Sequence, residues 1–112
     1  MEPAPQRLKR RAEFVNVARN GRKAPAPGLV LQALVREGGP ARVGFTVTKK
    51  VGNAVIRNRT RRRLKEAARL LFRERPVSGV DLVLIGRDGT RGRKFRALME
   101  DLRRALVRAG VT

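Results

Sequence analysis

The chain has 112 residues, enough for one domain and a single modest core. Lys and Arg number 28 against 9 Asp and Glu, a net charge of +19, while 41% of residues are apolar; this fits a folded basic domain and not a disordered tail. Cys, His, Tyr and Trp are absent and Ser78 is the only serine, which excludes disulfide scaffolds, thiolate zinc sites and Ser–His or Cys–His nucleophiles.

Residues 1–7 (MEPAPQR) carry two prolines and no periodicity and are expected to form a flexible arm. From Leu8 to Asn20 the spacing puts Phe14, Val17 and Ala18 on one helical face, and Gly21 stands where helices often stop. APAPG (24–28) argues against regular structure before the Leu/Val-rich run LVLQALV (29–35). RVGFTVT (42–48) alternates Val43, Phe45 and Val47 against Gly44, Thr46 and Thr48. The turn Gly38-Gly39-Pro40 between the two runs predicts a hairpin.

KKVGN (49–53) breaks the alternation, and Asn53 suits the N-cap of a helix running from Ala54 to about Arg73. Its apolar stripe is Ile56, Leu64, Ala67, Ala68 and Leu71. Pro76 ends it, and VDLVLIG (80–86) is apolar enough for a central strand. RDGTRGR (87–93) reads as a loop, and Phe95, Leu98, Met99, Leu102 and Leu106 mark a last helix ending near Gly110. The order α-β-β-α-β-α over residues 8–110 predicts one small α+β domain with three helices packed on a sheet.

The charge is concentrated. Residues 49–75 hold eleven Lys or Arg and two Glu, and RNRTRRRLK (57–65) has six basic residues in nine positions. Solvated helix faces ordinarily mix signs at i,i+4 spacing, and here the first acid after the run is Glu66. Such a run calls for an anionic partner. Arginine clamps phosphate bidentately and stacks on bases, so the partner expected is nucleic acid. Without Cys and His there is no zinc finger, the element order is not helix-turn-helix, and four Phe do not make an aromatic platform. Structured RNA bound by shape and phosphate fits best. Asn58, between two arginines, can meet a base edge or a ribose hydroxyl.

The segment RVGFTVTKKVGNAVIRNRTRRRLKEAAR (42–69) closely resembles the centre of the bacterial ribonuclease P protein subunit, in its KKVGNAV lead-in and in Arg57-Asn58-Arg59. LKRRAEFVNVARNG (8–21) resembles the first helix of that family and VDLVLIGR (80–87) a later strand. The resemblance implies a protein that binds ribonuclease P RNA and promotes removal of the 5′ leader from precursor tRNA. The hydrolysis and the Mg²⁺ would be held mainly by the RNA, with no catalytic or metal residue in this chain. It implies a mixed sheet with a left-handed βαβ crossover through the Arg-rich helix, as in the second domain of ribosomal protein S5, although about 98% of such connections are right-handed. The RNA subunit would meet Lys49, Lys50, Arg57, Asn58, Arg59, Arg62 and Lys65, with Arg61 and Arg63 as supporting phosphate contacts. The leader would lie in a cleft at Phe14, Val30, Gln32, Thr46 and Thr48, of which Phe14 and Val30 also fit a core reading. Ala18 and Gln32 stand where family members often carry aromatics, so leader binding here should lean on charge more than on stacking.

No membrane or protein partner is implied, and the N-terminus lacks a secretory apolar stretch, so a cytoplasmic protein is expected. Two other readings compete. One is a basic ribosomal or RNA-chaperone type binding protein without a processing role. The other is a metal-dependent nuclease using Asp81, Asp88 or Asp101, residues that in such positions are more often caps and turns.

Overall fold

A computed structural model describes residues 5–111. Its elements are β1 (Gln6–Arg7), α1 (Arg11–Asn20), β2 (Arg22–Pro25), β3 (Leu29–Pro40), β4 (Arg42–Val47), a 3₁₀ turn (Lys49–Val51), α2 (Ala54–Glu74), β5 (Ser78–Gly86), α3 (Asp88–Gly92) and α4 (Phe95–Arg108). One mixed sheet has the order β1-β4-β5-β3-β2. β1 and β5 run parallel to β4, whereas β3 runs antiparallel to both β5 and β2. The α+β class with a single mixed sheet is the one expected.

Several details correct the sequence reading. The two strands around Gly38-Gly39-Pro40 do not pair with each other; β5 inserts between them and ladders with both. The apolar run of β5 explains this, because Val80 to Leu84 are all buried and a strand so apolar gains most at the centre of a sheet. Gln6 and Arg7 are not a loose arm. Gln6 N–H donates to the Ala41 carbonyl at 2.7 Å and Leu8 N–H to that of Val43 at 3.1 Å, making an edge strand; residues 1–4 of the expected arm lie outside the described residues. Arg22–Pro25 forms the opposite edge strand, a position that tolerates Pro25 because no second neighbour needs its missing N–H. The stretch 88–92 is a short helix, so α3 brings the helices among the described residues to four.

Strand alternation gives the sheet two unlike faces. Leu29, Leu31, Ala33, Val43, Val47, Leu82 and Leu84 join the main core with Leu64, Leu71 and Phe72 of α2 and Leu98, Leu102 and Leu106 of α4. On the other face, α1 lays Val17 and Phe14 against Leu8, Val83, Leu34 and Ile85. Gly44 makes room for this, since a Cβ there would fall 2.5 Å from two ring carbons of Phe14. Asn53 caps α2 as its position predicts, its Oδ1 accepting from Ile56 N–H at 3.0 Å.

Candidate RNA interface

Each residue on a helix advances about 100°, so the basic run of α2 is dealt onto three flanks around its buried stripe of Thr60, Leu64, Ala67, Ala68 and Leu71. Arg57, Arg61 and Lys65 are half-buried on one flank, Asn58 and Arg62 point outward, and Arg59 and Arg63 share the third. Lys49 and Lys50 lie exposed in the 3₁₀ turn just ahead of α2. Among the described residues, none of these cations pairs with a carboxylate. Further along α2 the acids are already used, Glu66 by Arg69 at 2.6 Å and Glu74 by Arg103 at 3.4 Å.

Burial, then the neighbouring charges of Arg7 and Arg61, push Lys65 below the ordinary lysine range. Arg7 therefore belongs to this basic surface, a residue missed in the sequence because β1 has no periodic signal. Arg61 Nη1 donates to Asn58 Oδ1 at 2.9 Å, leaving the Asn58 amide hydrogens for a partner.

The second surface is a groove of about 420 Å³ between α1 and the sheet. It brings together Phe14, Gln32 and Thr46 of the expected leader residues, along with Ala18, and adds Arg11, Val15 and Val83. Val30 lies on the same sheet face one row along, level with Ile85 and Thr46, and is half-buried. Thr48 falls past the end of β4, exposed before the 3₁₀ turn. Arg11 and Val15 follow from the periodicity of α1, one turn apart with Phe14 and Ala18.

Of the carboxylates of the nuclease reading, Asp81 and Asp101 are occupied by hydrogen-bond donors, and Asp88 is exposed at the start of α3. Asp81 accepts from Arg42 Nη2 at 2.6 Å, Arg42 Nε at 2.8 Å and Arg36 Nε at 2.7 Å. Burial alone would raise its pKa, and these hydrogen bonds outweigh burial and hold the carboxyl below the usual range. Arg42 also reaches Glu13 at 2.7 Å, which ties α1 to the sheet. Glu13 too is held low, by the Arg10 and Lys9 N–H groups and by Arg42. Asp101 is taken by Arg93 and by the Gly28 N–H. Among the described residues no three Asp, Glu, His or Cys gather as metal ligands, and no helix is long and apolar enough to cross a membrane.

The family model for Ribonuclease P matches residues 3–110. This chain belongs to the ribonuclease P protein family. It is 73% identical over 106 residues to the ribonuclease P protein component of Gluconacetobacter diazotrophicus, covering 94% of this chain and 91% of that one. Against the component from Paramagnetospirillum magneticum it is 50% identical over 109 residues, covering 93% and 82%. Solved ribonuclease P proteins share the fold. That of Staphylococcus aureus superposes with a TM-score of 0.78 at 25% identity, covering 94% of this chain and 95% of that one. That of Thermotoga maritima gives 0.72 at 26% identity, covering 92% and 96%. The resemblance carried by residues 42–69 thus extends along nearly the whole chain. The role of ribonuclease P proteins is to bind the RNA subunit of an endoribonuclease that processes the tRNA 5′ leader.

Proposed function

We propose that this chain is the protein subunit of a cytoplasmic ribonuclease P, with α2 on the RNA subunit and the α1–sheet groove on the 5′ leader of precursor tRNA. One observation carries the reading: Lys49, Lys50 and the cations of residues 57–65 are gathered on and beside one helix with no carboxylate partner among the described residues. Like charges held this close repel unless an anion answers them. Phosphates spaced along an RNA strand are the anion that arginine forks match.

In this reading Lys49 and Lys50 grip the backbone beside Arg57 and Arg59. Arg62, Arg61 and Lys65 widen the contact, and Asn58 presents its amide to a base edge or ribose. In the groove, Phe14 offers a ring face to one leader base, Gln32 and Thr46 offer hydrogen bonds, and Arg11 supplies charge at the rim. The left-handed β4–α2–β5 crossover, of the type in the second domain of ribosomal protein S5, sets α2 against the RNA; the likeness to solved ribonuclease P proteins supports it. Hydrolysis belongs to the RNA, which would hold the Mg²⁺. Asp81 and Asp101 do not suit that metal, since both are bound by arginines.

Cleavage of a 5′-extended precursor tRNA in Mg²⁺ at moderate salt tests the proposal. Protein alone should be inactive, a bacterial ribonuclease P RNA alone slow, and the mixture faster. Cleavage by the protein alone, or a mixture no faster than RNA alone, would overturn it.

A further inference from the structure

Arg63 lies in the middle of the basic run, yet its guanidinium turns toward the protein. Nη1 donates to the carbonyls of Thr90 and Arg91, the latter at 3.1 Å, and Nη2 donates to that of Arg93. One planar fork thereby gathers three carbonyls at the end of α3, groups that a helix terminus otherwise leaves to water. Arg59 lies one turn earlier on the same flank and makes no such contact.

The segment is fastened from its other side as well. Thr90, fully buried, donates its hydroxyl to the Gly28 carbonyl at 2.6 Å and accepts from Arg87 N–H at 2.8 Å. Asp101 accepts from Gly28 N–H at 3.0 Å and from Arg93 Nε at 2.8 Å. A Cβ on Gly28 would fall 2.7 Å from Asp101 Oδ2, so the turn and α4 are fitted to each other. Outward from this fixed backbone stand Arg91 and Lys94, both exposed and, among the described residues, paired with no carboxylate. Asp88 is the only acid between residues 87 and 96.

We propose that Arg63 is a positioning residue rather than a phosphate ligand: it locks residues 88–94 beside α2, so that Arg91 and Lys94 form a second set of phosphate contacts to the RNA subunit on the flank of Arg59. Holding this cationic segment beside the basic run of α2 costs electrostatic energy in the free protein. The same phosphate chain that meets Arg59 would offset it. The inference rests on the assignment of α2 to the RNA subunit.

The test is the affinity of the whole protein for ribonuclease P RNA across a range of salt. Each phosphate contact contributes about 0.7–0.9 to the slope of log K against log salt, so Arg91→Ala with Lys94→Ala should lower it by about 1.4–1.8. Arg63→Lys keeps the charge but cannot span three carbonyls in fork geometry. It should weaken binding as much as Arg63→Ala, and neither should change the slope further in the Arg91→Ala/Lys94→Ala background. Wild-type affinity for Arg63→Lys, with an additive loss for Arg63→Ala, would make Arg63 a phosphate ligand and overturn the proposal. An unchanged slope for Arg91→Ala/Lys94→Ala would also overturn it, and a change seen only with precursor tRNA would assign these cations to the substrate instead. Arg57→Ala/Arg59→Ala run in parallel separates the failures: if that slope is also unchanged, the placement of α2 on the RNA is what fails. Should Arg63→Ala not fold, the exposed pair Arg91 and Lys94 still decides the outcome.

Discussion

Arg36 and Arg42 at one end of the sheet carry the same guanidinium as Arg57, Arg59 and Arg62 on α2, in opposite surroundings. The first pair converges on buried Asp81, and Arg42 extends to Glu13, so each positive charge there is answered inside the fold. At Arg57, Arg59 and Arg62 no carboxylate among the described residues answers the charge, and Arg7 and Arg61 crowd Lys65 nearby. The first cluster closes the fold, joining α1, β3, β4 and β5. The second adds repulsion that only a partner removes. Residue type alone does not separate structural arginine from binding arginine; what the guanidinium meets inside the fold does, a carboxylate at Arg36 and Arg42 and backbone carbonyls at Arg63.

Removing the counter-charge of Arg36 and Arg42 has the largest expected effect. Asp81→Asn leaves Arg36 and Arg42 without a full partner in a buried corner and should cost about 2–3 kcal/mol in chemical denaturation. It should leave the salt dependence of RNA binding unchanged. The folded pKa of Asp81 is lowered, so its contribution is present above the unfolded value of about 3.9 and is lost as pH falls through that value toward the folded one. The stability gap between wild type and Asp81→Asn should therefore close in acid, and a gap constant from pH 7 to pH 2 would contradict the pairing.

A smaller effect sharpens the division on the groove side. Gly44→Ala drives a methyl into the Phe14 ring and should destabilise by about 1–2 kcal/mol. It should weaken capture of the precursor tRNA leader without changing affinity for the RNA subunit. Smaller still, Ala18→Phe adds a stacking surface to the groove, and leader affinity should rise about fivefold while the slope of its salt dependence stays the same. Unaltered leader binding in both variants would remove the leader from the groove.

Much of this was legible in residue order, and the failures are physical. The apolar run Val80–Gly86 announced a central strand, Asn53 a cap, and the stripe through Leu64 and Leu71 the buried side of α2. The apparent hairpin failed because β3 and β4 both find their partner in β5, more than 30 residues later for β4, and nothing local to the Gly-Gly-Pro turn reveals that competitor. Two- and four-residue edge strands such as β1 and β2 are too short for any period to show. The basic run was legible as a whole but not residue by residue. Arg63 and Arg62 are neighbours in sequence, and only the fold places the 90–93 carbonyls within reach of one of them.

The salt dependence of affinity for ribonuclease P RNA, in wild type and in Arg57→Ala/Arg59→Ala/Arg62→Ala, decides whether the α2 arginines serve the RNA. Loss of three phosphate contacts predicts a slope shallower by about 2.1–2.7, with a thermal midpoint unchanged or raised as repulsion on α2 is relieved. An unchanged slope, or a fold destabilised as severely as by Asp81→Asn, would show that these arginines serve the protein itself and not the RNA.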